Sequence, residues 1–156
     1  MRVGFGYDIH KLAEGRPLVL GGIEVPYEFG LEGHSDADVL VHALCDALLG
    51  AAGEGDIGRH FPPGDDRYLN IYSMLLLEKV NGIISSRYRI SNIDCIIVAQ
   101  KPRLAPYIEE MRTGLSSCLG LEDGRVNIKA TTTEGLGVIG EGKAIAAYAA
   151  VCLEEL

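Results

Sequence analysis

The stretch S-D-A-D-V-L-V-H-A-L-C-D-A-L-L-G-A, residues 35–51, carries the helical pattern around which the rest of the chain can be arranged. One face of a helix over this stretch is apolar and holds Leu40, Leu44, Ala47, Leu48 and Ala51. Asp38, His42 and Asp46 are spaced by four, so they share the opposite face. The pattern predicts an amphipathic helix that packs on its apolar side and presents a histidine between two carboxylates.

The segment before this helix combines capping residues with a second histidine. Ser35 and Asp36 are good N-caps, so the helix is predicted to cover residues 37–51. His34 adjoins them, and the backbone N–H groups at a helix N-terminus attract anions. Two interpretations follow: an ordinary N-cap with helix-dipole carboxylates, or a loop that binds an anionic ligand.

Strands and helices are interspersed along the rest of the chain. Alternation over residues 2–8 predicts a strand with Val3, Phe5 and Tyr7 on one face, and residues 18–25 predict a hairpin around a Gly-Gly turn. Four further elements are a helix at 71–84, a strand at 93–99, a helix that follows two prolines and ends near residue 120, and a strand at 126–133. Residues 144–153 fit a helix by their alanines and a strand by their alternation. The pattern predicts an α/β or α+β fold for one domain, residues 1–156.

Composition bounds the class of protein. With 156 residues, 47% of them hydrophobic, the chain can bury a hydrophobic core without disulfides or a structural metal ion. Its four cysteines are widely spaced without a C-x-x-C pair, which argues against a disulfide framework or a cysteine zinc site. The net charge of −8 argues against a nucleic-acid surface. No apolar run has the length of a membrane span and charge appears early, at Asp8, so a cytoplasmic protein without a signal peptide or membrane partner is expected.

Asp8-Ile9-His10 is a candidate metal-binding motif. Residues two apart on a strand point the same way, so a carboxylate and an imidazole converge. Both are zinc ligands, and His42 would supply the third of the three protein ligands that a catalytic zinc takes. Alone the triplet is a weak signal, because a single histidine is more often a hydrogen-bonding group than a ligand.

Three further segments have a functional and an ordinary interpretation. Residues 55–66 form a polar, glycine- and proline-rich stretch that fits a substrate-holding lid or a surface connection. Residues 129–134 offer hydroxyls and amides for phosphate, and Glu134 for a cation such as Mg²⁺, but threonine runs are also ordinary strand material. Residues 135–140 match G-x-G-x-x-G, yet too little chain follows for the helix and strand of a dinucleotide site.

Six blocks, in order along the chain, resemble the 2-C-methyl-D-erythritol 2,4-cyclodiphosphate synthase family. They are G-Y-D-I-H (6–10), G-H-S-D-A-D-V (33–39), H-A-L-C-D-A-L-L-G-A (42–51), G-D-I-G-R-H-F-P (55–62), A-Q-K-P-R-L (99–104) and N-I-K-A-T-T-T-E-G-L-G (127–137). The resemblance covers nearly the whole chain. It implies a mixed β-sheet backed by helices, with residues 144–153 as a strand. It also implies a homotrimer with active sites at subunit interfaces.

The resemblance also implies a reaction. Members of this family convert 4-diphosphocytidyl-2-C-methyl-D-erythritol 2-phosphate to 2-C-methyl-D-erythritol 2,4-cyclodiphosphate in the non-mevalonate isoprenoid pathway. The 2-phosphate attacks the β-phosphorus of the substrate's own CDP group and CMP is released. This is the chemistry of a divalent-metal-dependent phosphorus–oxygen lyase that acts on a nucleotide-linked small molecule.

Residue roles follow from the same resemblance. Zn²⁺ is expected on Asp8, His10 and His42, and Mg²⁺ or Mn²⁺ on Glu134 together with the substrate diphosphate. His34 and Thr132 are expected to act in catalysis. The implied substrate-binding set is Asp8, His10, His34, Ser35, Asp56, Ile57, Gly58, Phe61, Asp65, Ala99, Pro102, Arg103, Leu104, Thr131, Thr132 and Glu134.

Two positions depart from the family pattern. Pro63 stands where an aspartate is usual. Glu141 and Lys143 stand where the family usually shows arginine and then glutamate, a region that in the family lies near the trimer axis. We interpret this exchange as an ion pair kept with reversed polarity.

Two other functions fit parts of the same pattern. A zinc hydrolase of nucleotides would use the Asp8–His10–His42 set to activate water and would give open products. A binding module would hold a structural zinc in a closed, four-ligand site.

Overall fold

The computed structural model describes residues 1–122 and 124–156. The strands are β1 (Arg2–Ala13), β2 (Leu18–Leu20), β3 (Ile23–Val25), β4 (Gly30–Leu31), β5 (Tyr88–Val98), β6 (Val126–Thr131) and β7 (Ala144–Glu155). The helices are α1 (Val39–Ala52), α2 (Ile57–His60), α3 (Ser73–Ile84), α4 (Ile108–Leu119) and α5 (Gly137–Gly140), with 3₁₀ turns at Asp66–Tyr68 and Ala105–Tyr107. None of the helices in the described ranges has the length and apolarity needed to cross a membrane.

A mixed sheet organises the fold, with strands in the order β4-β1-β7-β5-β6. β7 is antiparallel to both β1 and β5, and β6 is parallel to β5. Helix α1 packs on β1, β7 and β5, and the separate β2–β3 hairpin turns at Gly21-Gly22 as predicted. The predicted mixed sheet backed by helices is confirmed. The C-terminal segment is a strand, as the resemblance implied against its alanine content.

Two glycines of β1 let helix α1 lie directly on the strand. A Cβ atom on Gly4 would stand 1.9 Å from the carbonyl oxygen of Ala47, and one on Gly6 would stand 1.9 Å from that of Ala43. Side chains alternate along a strand, so Gly4, Gly6, Asp8 and His10 face the helix together. Because α1 lies this close to β1, two residues meet. His42 is adjacent to Ala43 on the helix, and Asp8 follows Gly6 on the side of β1 that faces the helix.

On β1 and its neighbour β7, the opposite face of the sheet is exposed and apolar. On β1, Val3 is 72% exposed and Phe5 66% exposed, and Tyr7 and Ile9 continue the row. Tyr148 on β7 packs against Tyr7 with ring centroids 4.9 Å apart. A contiguous apolar patch of this kind is typical of an interaction surface.

The start of α1 differs from the sequence prediction. Asp38 is the N-cap, and its side chain accepts a hydrogen bond from the Val41 backbone N–H at 3.1 Å. Ala37 has φ = +57°, in the left-handed region, so the helix cannot continue back to Ser35 and Asp36. The prediction that those two residues cap a helix starting at residue 37 is therefore wrong.

Asp38 is also not part of an exposed polar face. It is fully buried and accepts hydrogen bonds from the backbone N–H groups of Gly21 and Gly22, at 3.0 and 2.7 Å. Burial, followed by the charge of Asp36, raises the pKa of Asp38, while hydrogen bonds from the Gly22 and Val41 N–H groups oppose the shift. The carboxylate therefore ties the β2–β3 turn to the start of the helix that carries His42.

Other boundaries shift by a few residues. α3 begins at Ser73 rather than at residue 71, β5 begins at Tyr88 rather than at 93, and β6 ends at Thr131 rather than at 133. The predicted helix end near residue 120 is confirmed, since Gly120 is a left-handed C-cap. The stretch 55–66 is not entirely loop, because it contains α2.

Candidate metal centre and substrate pockets

Asp8, His10 and His42 converge, as the sequence predicted. Their ligand atoms all lie within 4.8 Å of one another. Asp8 Oδ2 lies 2.8 Å from His10 Nε2 and 3.1 Å from His42 Nδ1, and the two ring nitrogens are 3.3 Å apart. A strand and a helix thus supply three ligand atoms to one point, and in the described part of the chain no fourth His, Cys, Asp or Glu joins the group.

Both imidazoles are oriented by their second nitrogen. His10 Nδ1 lies 2.8 Å from the Glu32 carbonyl oxygen, to which it donates its hydrogen. His42 Nε2 lies 3.1 Å from Ser35 Oγ and 3.0 Å from Ser73 Oγ. Metal-binding histidines have such partners on the nitrogen that faces away from the ion, where they fix the ring and its tautomer.

The neighbouring groups of the triad favour the charged forms of Asp8 and His10. Burial raises the pKa of Asp8, but hydrogen bonds from His10 and His42 outweigh it and lower the pKa to about 2. Burial lowers the pKa of His10, but the hydrogen bond and charge of Asp8 outweigh it, so the pKa is raised. A cation at this point would displace the proton of His10 and take its place beside the carboxylate.

This donor set fits a divalent transition-metal ion. Two imidazole nitrogens and one carboxylate oxygen are the ligands of catalytic zinc sites, which leave a position open. A closed, four-ligand structural site, as a binding module would need, is not formed by the described residues. Residues of this chain would therefore hold an ion that remains accessible to a ligand.

A pocket of about 250 Å³ lies beside the triad. Of the residues that the resemblance assigns to the substrate, His10, His34, Ser35, Ile57, Gly58 and Phe61 line it. Asp56 and Asp65 do not: the Asp56 carboxylate caps α2 by accepting from the Arg59 N–H at 2.9 Å, and Asp65 pairs with Arg67. Pro63, one of the departures from the family pattern, is part of the wall.

Asp46 holds the near wall of this pocket to helix α1. Its Oδ1 accepts a hydrogen bond from the Ile57 N–H at 2.8 Å, at the start of α2. Burial is the main cause that raises the pKa of Asp46. His42 and Asp46, spaced by four on α1, therefore contact neighbouring parts of one site. His42 belongs to the triad, and Asp46 binds the start of α2.

A second pocket, of about 580 Å³, lies at the ends of β5 and β6. The predicted residues Ala99, Pro102, Arg103, Leu104, Thr131 and Thr132 all line it. Tyr27, Gln100 and Lys101 also line it and were not predicted; Gln100 and Lys101 lie inside a quoted block, whereas Tyr27 has no sequence signal. Glu134 is exposed just beyond, and its N–H donates to Thr132 Oγ1.

The two pockets lie apart within one chain and share no lining residue. Strand pairing aligns Asp8 with Ala147, Ala147 with Ile97, and Ile97 with Ala130. Three strand spacings, about 14 Å, therefore separate the triad from the Thr131–Glu134 segment.

Comparison with known proteins identifies the family. The model of the YgbB family matches residues 1–154. The chain belongs to the YgbB family. The 2-C-methyl-D-erythritol 2,4-cyclodiphosphate synthase of Desulfatibacillum aliphaticivorans is 57% identical over 155 residues, 99% of this chain and 100% of that protein.

Solved structures share the fold of this YgbB-family chain. A 2C-methyl-D-erythritol-2,4-cyclodiphosphate synthase in its CDP-bound form matches with a TM-score of 0.90 and 35% identity, over 98% of this chain and 100% of that one. The bifunctional IspDF from Campylobacter jejuni matches with a TM-score of 0.96 and 40% identity over 99% of this chain. The present chain spans 42% of that bifunctional protein.

Glu141 and Lys143, at which the sequence analysis expected a departure from the family pattern, form an ion pair in this YgbB-family chain. Lys143 Nζ lies 2.5 Å from Glu141 Oε2, on the turn between α5 and β7. Both side chains are more than half exposed, so solvent screens the pair and its contribution to stability is small. The two side chains approach each other within one chain; their place in an assembly stays a prediction.

Proposed function

We propose that this chain converts 4-diphosphocytidyl-2-C-methyl-D-erythritol 2-phosphate to 2-C-methyl-D-erythritol 2,4-cyclodiphosphate and CMP. The observation that carries the proposal is the convergence of Asp8, His10 and His42, of which the two histidines line a pocket. Relatives named as this synthase, one of them in a CDP-bound form, support the choice of substrate. The enzyme is a lyase of the non-mevalonate isoprenoid pathway, and its cytoplasmic location stays a prediction.

The substrate brings its own nucleophile. An oxygen of the 2-phosphate forms a bond to the β-phosphorus, the bond from that phosphorus to the bridging oxygen breaks, and CMP leaves with the electron pair. No serine or cysteine nucleophile is required, and the buried cysteines are poor candidates. Burial raises the pKa of Cys45 well above its ordinary value and that of Cys95 to about 12, so neither forms a thiolate at neutral pH.

The protein's task is to position two anionic groups and to neutralise their charge. Asp8, His10 and His42 would hold Zn²⁺, which supplies Lewis-acid polarisation of a phosphate oxygen. His34 and Ser35 line the pocket beside it and would bind the erythritol phosphate end. Thr131 and Thr132 would bind the diphosphate, and Glu134 a Mg²⁺ or Mn²⁺ ion on it. His34 and Thr132 contact the reacting groups in this arrangement and are the proposed catalytic residues.

A homotrimer would unite the two pockets. The triad pocket and the Ala99–Leu104 pocket lie about three strand spacings apart in one chain, so one subunit's nucleotide pocket is proposed to face another's metal centre. The exposed apolar face of β1 and β7 supports burial against further copies of the chain. A closed ring formed by repeated head-to-tail contacts gives three equivalent sites.

Product analysis tests the reaction. The purified protein, incubated with the CDP-linked methylerythritol phosphate, Zn²⁺ and Mg²⁺, is expected to give a cyclic diphosphate and CMP in equal amounts, followed by phosphorus NMR. A parallel sample treated with a chelator should give neither product. Open-chain phosphates in place of the ring would show a nucleotide hydrolase. Zinc binding without turnover would show a binding module.

Subunit complementation tests the shared site. His42→Ala removes a residue of the metal half and Glu134→Gln removes the charge of the nucleotide half; each variant alone is expected to be inactive. Random mixed trimers formed by co-expression should recover about a quarter of wild-type activity, because one site in four then joins two intact halves. Activity that stays at the level of the single variants would place the whole site in one subunit.

A further inference from the structure

Ser73, the first residue of α3, contacts the metal centre from outside the set predicted from the sequence. It is fully buried. Its Oγ lies 3.0 Å from His42 Nε2 and hydrogen-bonds to Asp36 Oδ1. Its backbone N–H also donates to Asp36 Oδ2, at 2.9 Å. Asp36, Ser73 and His42 thus form a continuous chain of hydrogen bonds that ends at the metal-binding ring.

The direction of these hydrogen bonds is fixed by the donors available. An ionised carboxylate only accepts, and a serine hydroxyl has one hydrogen. Ser73 donates that hydrogen to Asp36, so toward His42 it can only accept. His42 Nε2 must therefore carry a hydrogen, and in the neutral imidazole this leaves Nδ1 with its lone pair directed at Asp8 and the metal position.

We infer that Asp36 and Ser73 are positioning residues that hold His42 in the tautomer whose Nδ1 binds a metal ion. This inference rests on the proposed metal centre. Ser35 Oγ lies nearly as close to Nε2, but it accepts from the Ala37 N–H, and within residues 1–122 and 124–156 it has no hydrogen bond to a carboxylate. The part-buried Asp36–Ser73 pair is the charge-assisted partner, and Ser35 is left to face the pocket.

The tautomer needs such support because Asp8 acts against it. Asp8 Oδ2 lies 3.1 Å from His42 Nδ1, where a carboxylate favours a hydrogen on that nitrogen. A hydrogen on Nδ1 must leave before a metal ion can bind there. The Ser73 hydroxyl, held by Asp36, offers the hydrogen a better acceptor on the other side of the ring. Loss of the hydroxyl should therefore weaken metal binding without removing any ligand.

Zinc binding by Ser73→Ala tests the inference without reference to turnover. Its zinc dissociation constant, measured by competition with a chelating dye, is expected to rise about 10- to 100-fold, as for other partners of metal-binding histidines. Ser116→Ala is the matched control: Ser116 is also a buried helical serine, and among the described residues its Oγ has no hydrogen-bond partner. That control should bind zinc as the wild type does.

A second readout separates positioning from a general loss of structure. In the zinc-loaded, ¹⁵N-histidine-labelled protein, the His42 Nε2–H should exchange slowly with water in the wild type and in Ser116→Ala, and faster in Ser73→Ala. Asp36→Asn, which removes the charge at the end of the chain, should also weaken zinc binding. If Ser73→Ala does not fold, the zinc affinity of Asp36→Asn and the exchange rate of the Nε2 hydrogen in the wild type still test the inference.

Unchanged zinc affinity and unchanged exchange in folded Ser73→Ala would overturn the inference while leaving the metal centre intact. Rapid exchange of the Nε2–H in the zinc-loaded wild type would also overturn it. A wild type that binds no zinc would overturn the metal centre itself, so the two failures are distinguishable.

Discussion

Replacement of His42 by alanine is expected to abolish formation of the cyclic diphosphate and to weaken zinc binding more than any change to a residue outside the three ligands. The substitution removes one of three ligands and leaves the hydroxyls of Ser35 and Ser73 without their imidazole partner. Outer partners of metal ligands are typically worth about 10- to 100-fold in affinity or activity, so loss of a ligand should cost at least about 100-fold in turnover. Phosphorus NMR of products and chelator competition for zinc measure the two effects.

The matched control is His60→Ala. His60 lies at the end of α2, close in sequence to pocket residues, but its Nε2 hydrogen-bonds to the Glu54 carbonyl oxygen at 2.8 Å and it lies outside the ligand group. The His60→Ala protein should retain the zinc affinity and most of the turnover of the wild type. Turnover at the wild-type level in both variants would show that the reaction does not proceed through this centre.

Local periodicity predicted two of the three candidate metal ligands as a pair but not their meeting with the third. A spacing of two on a strand places Asp8 and His10 on one face, and that holds. The encounter with His42 depends on how α1 lies across β1, which local pattern does not give. The resemblance to a family supplied that link; the two glycines of β1 explain it physically.

The residues that sequence reasoning missed or misplaced are polar groups buried by tertiary contacts. A spacing of four put Asp38 on an exposed helix face, yet it is a buried cap shared with the β2–β3 turn. Ser73 is far from His42 in sequence and begins a helix whose first residue was predicted two positions too early. Serine is common at helix starts, so its sequence position alone does not indicate a contact with a metal ligand.

The C-terminal strand shows how packing overrides propensity. Its alanines favour a helix in isolation. Ala147 and Ala149 instead lie buried in β7, where α1 packs on the sheet, and small side chains there allow the helix to come close. The same close packing requires glycine on the neighbouring strand, so alanine in β7 and glycine in β1 have one cause.

Gly6→Ala is expected to destabilise the fold strongly, because the added methyl group meets the backbone of α1. The new Cβ would stand 1.9 Å from the Ala43 carbonyl oxygen and 2.9 Å from the Ala47 nitrogen. Both are backbone atoms of α1, so the clash cannot be relieved by turning a side chain. Overpacking typically costs 1–3 kcal/mol and occasionally more, and a backbone clash of this kind should cost about 3 kcal/mol or more. Urea unfolding at fixed protein concentration measures it.

The same substitution should loosen the metal centre, because α1 can accept the methyl group only by moving away from β1 and carrying His42 away from Asp8. Gly50→Ala is the control: it adds a methyl group to the same helix where the Cβ meets nothing within 4 Å, and alanine favours the helix by up to about 1 kcal/mol. It should stabilise the fold slightly and leave zinc affinity unchanged. If Gly6→Ala instead matched Gly50→Ala in stability and zinc binding, the contact between α1 and β1 would not be what brings the ligands together.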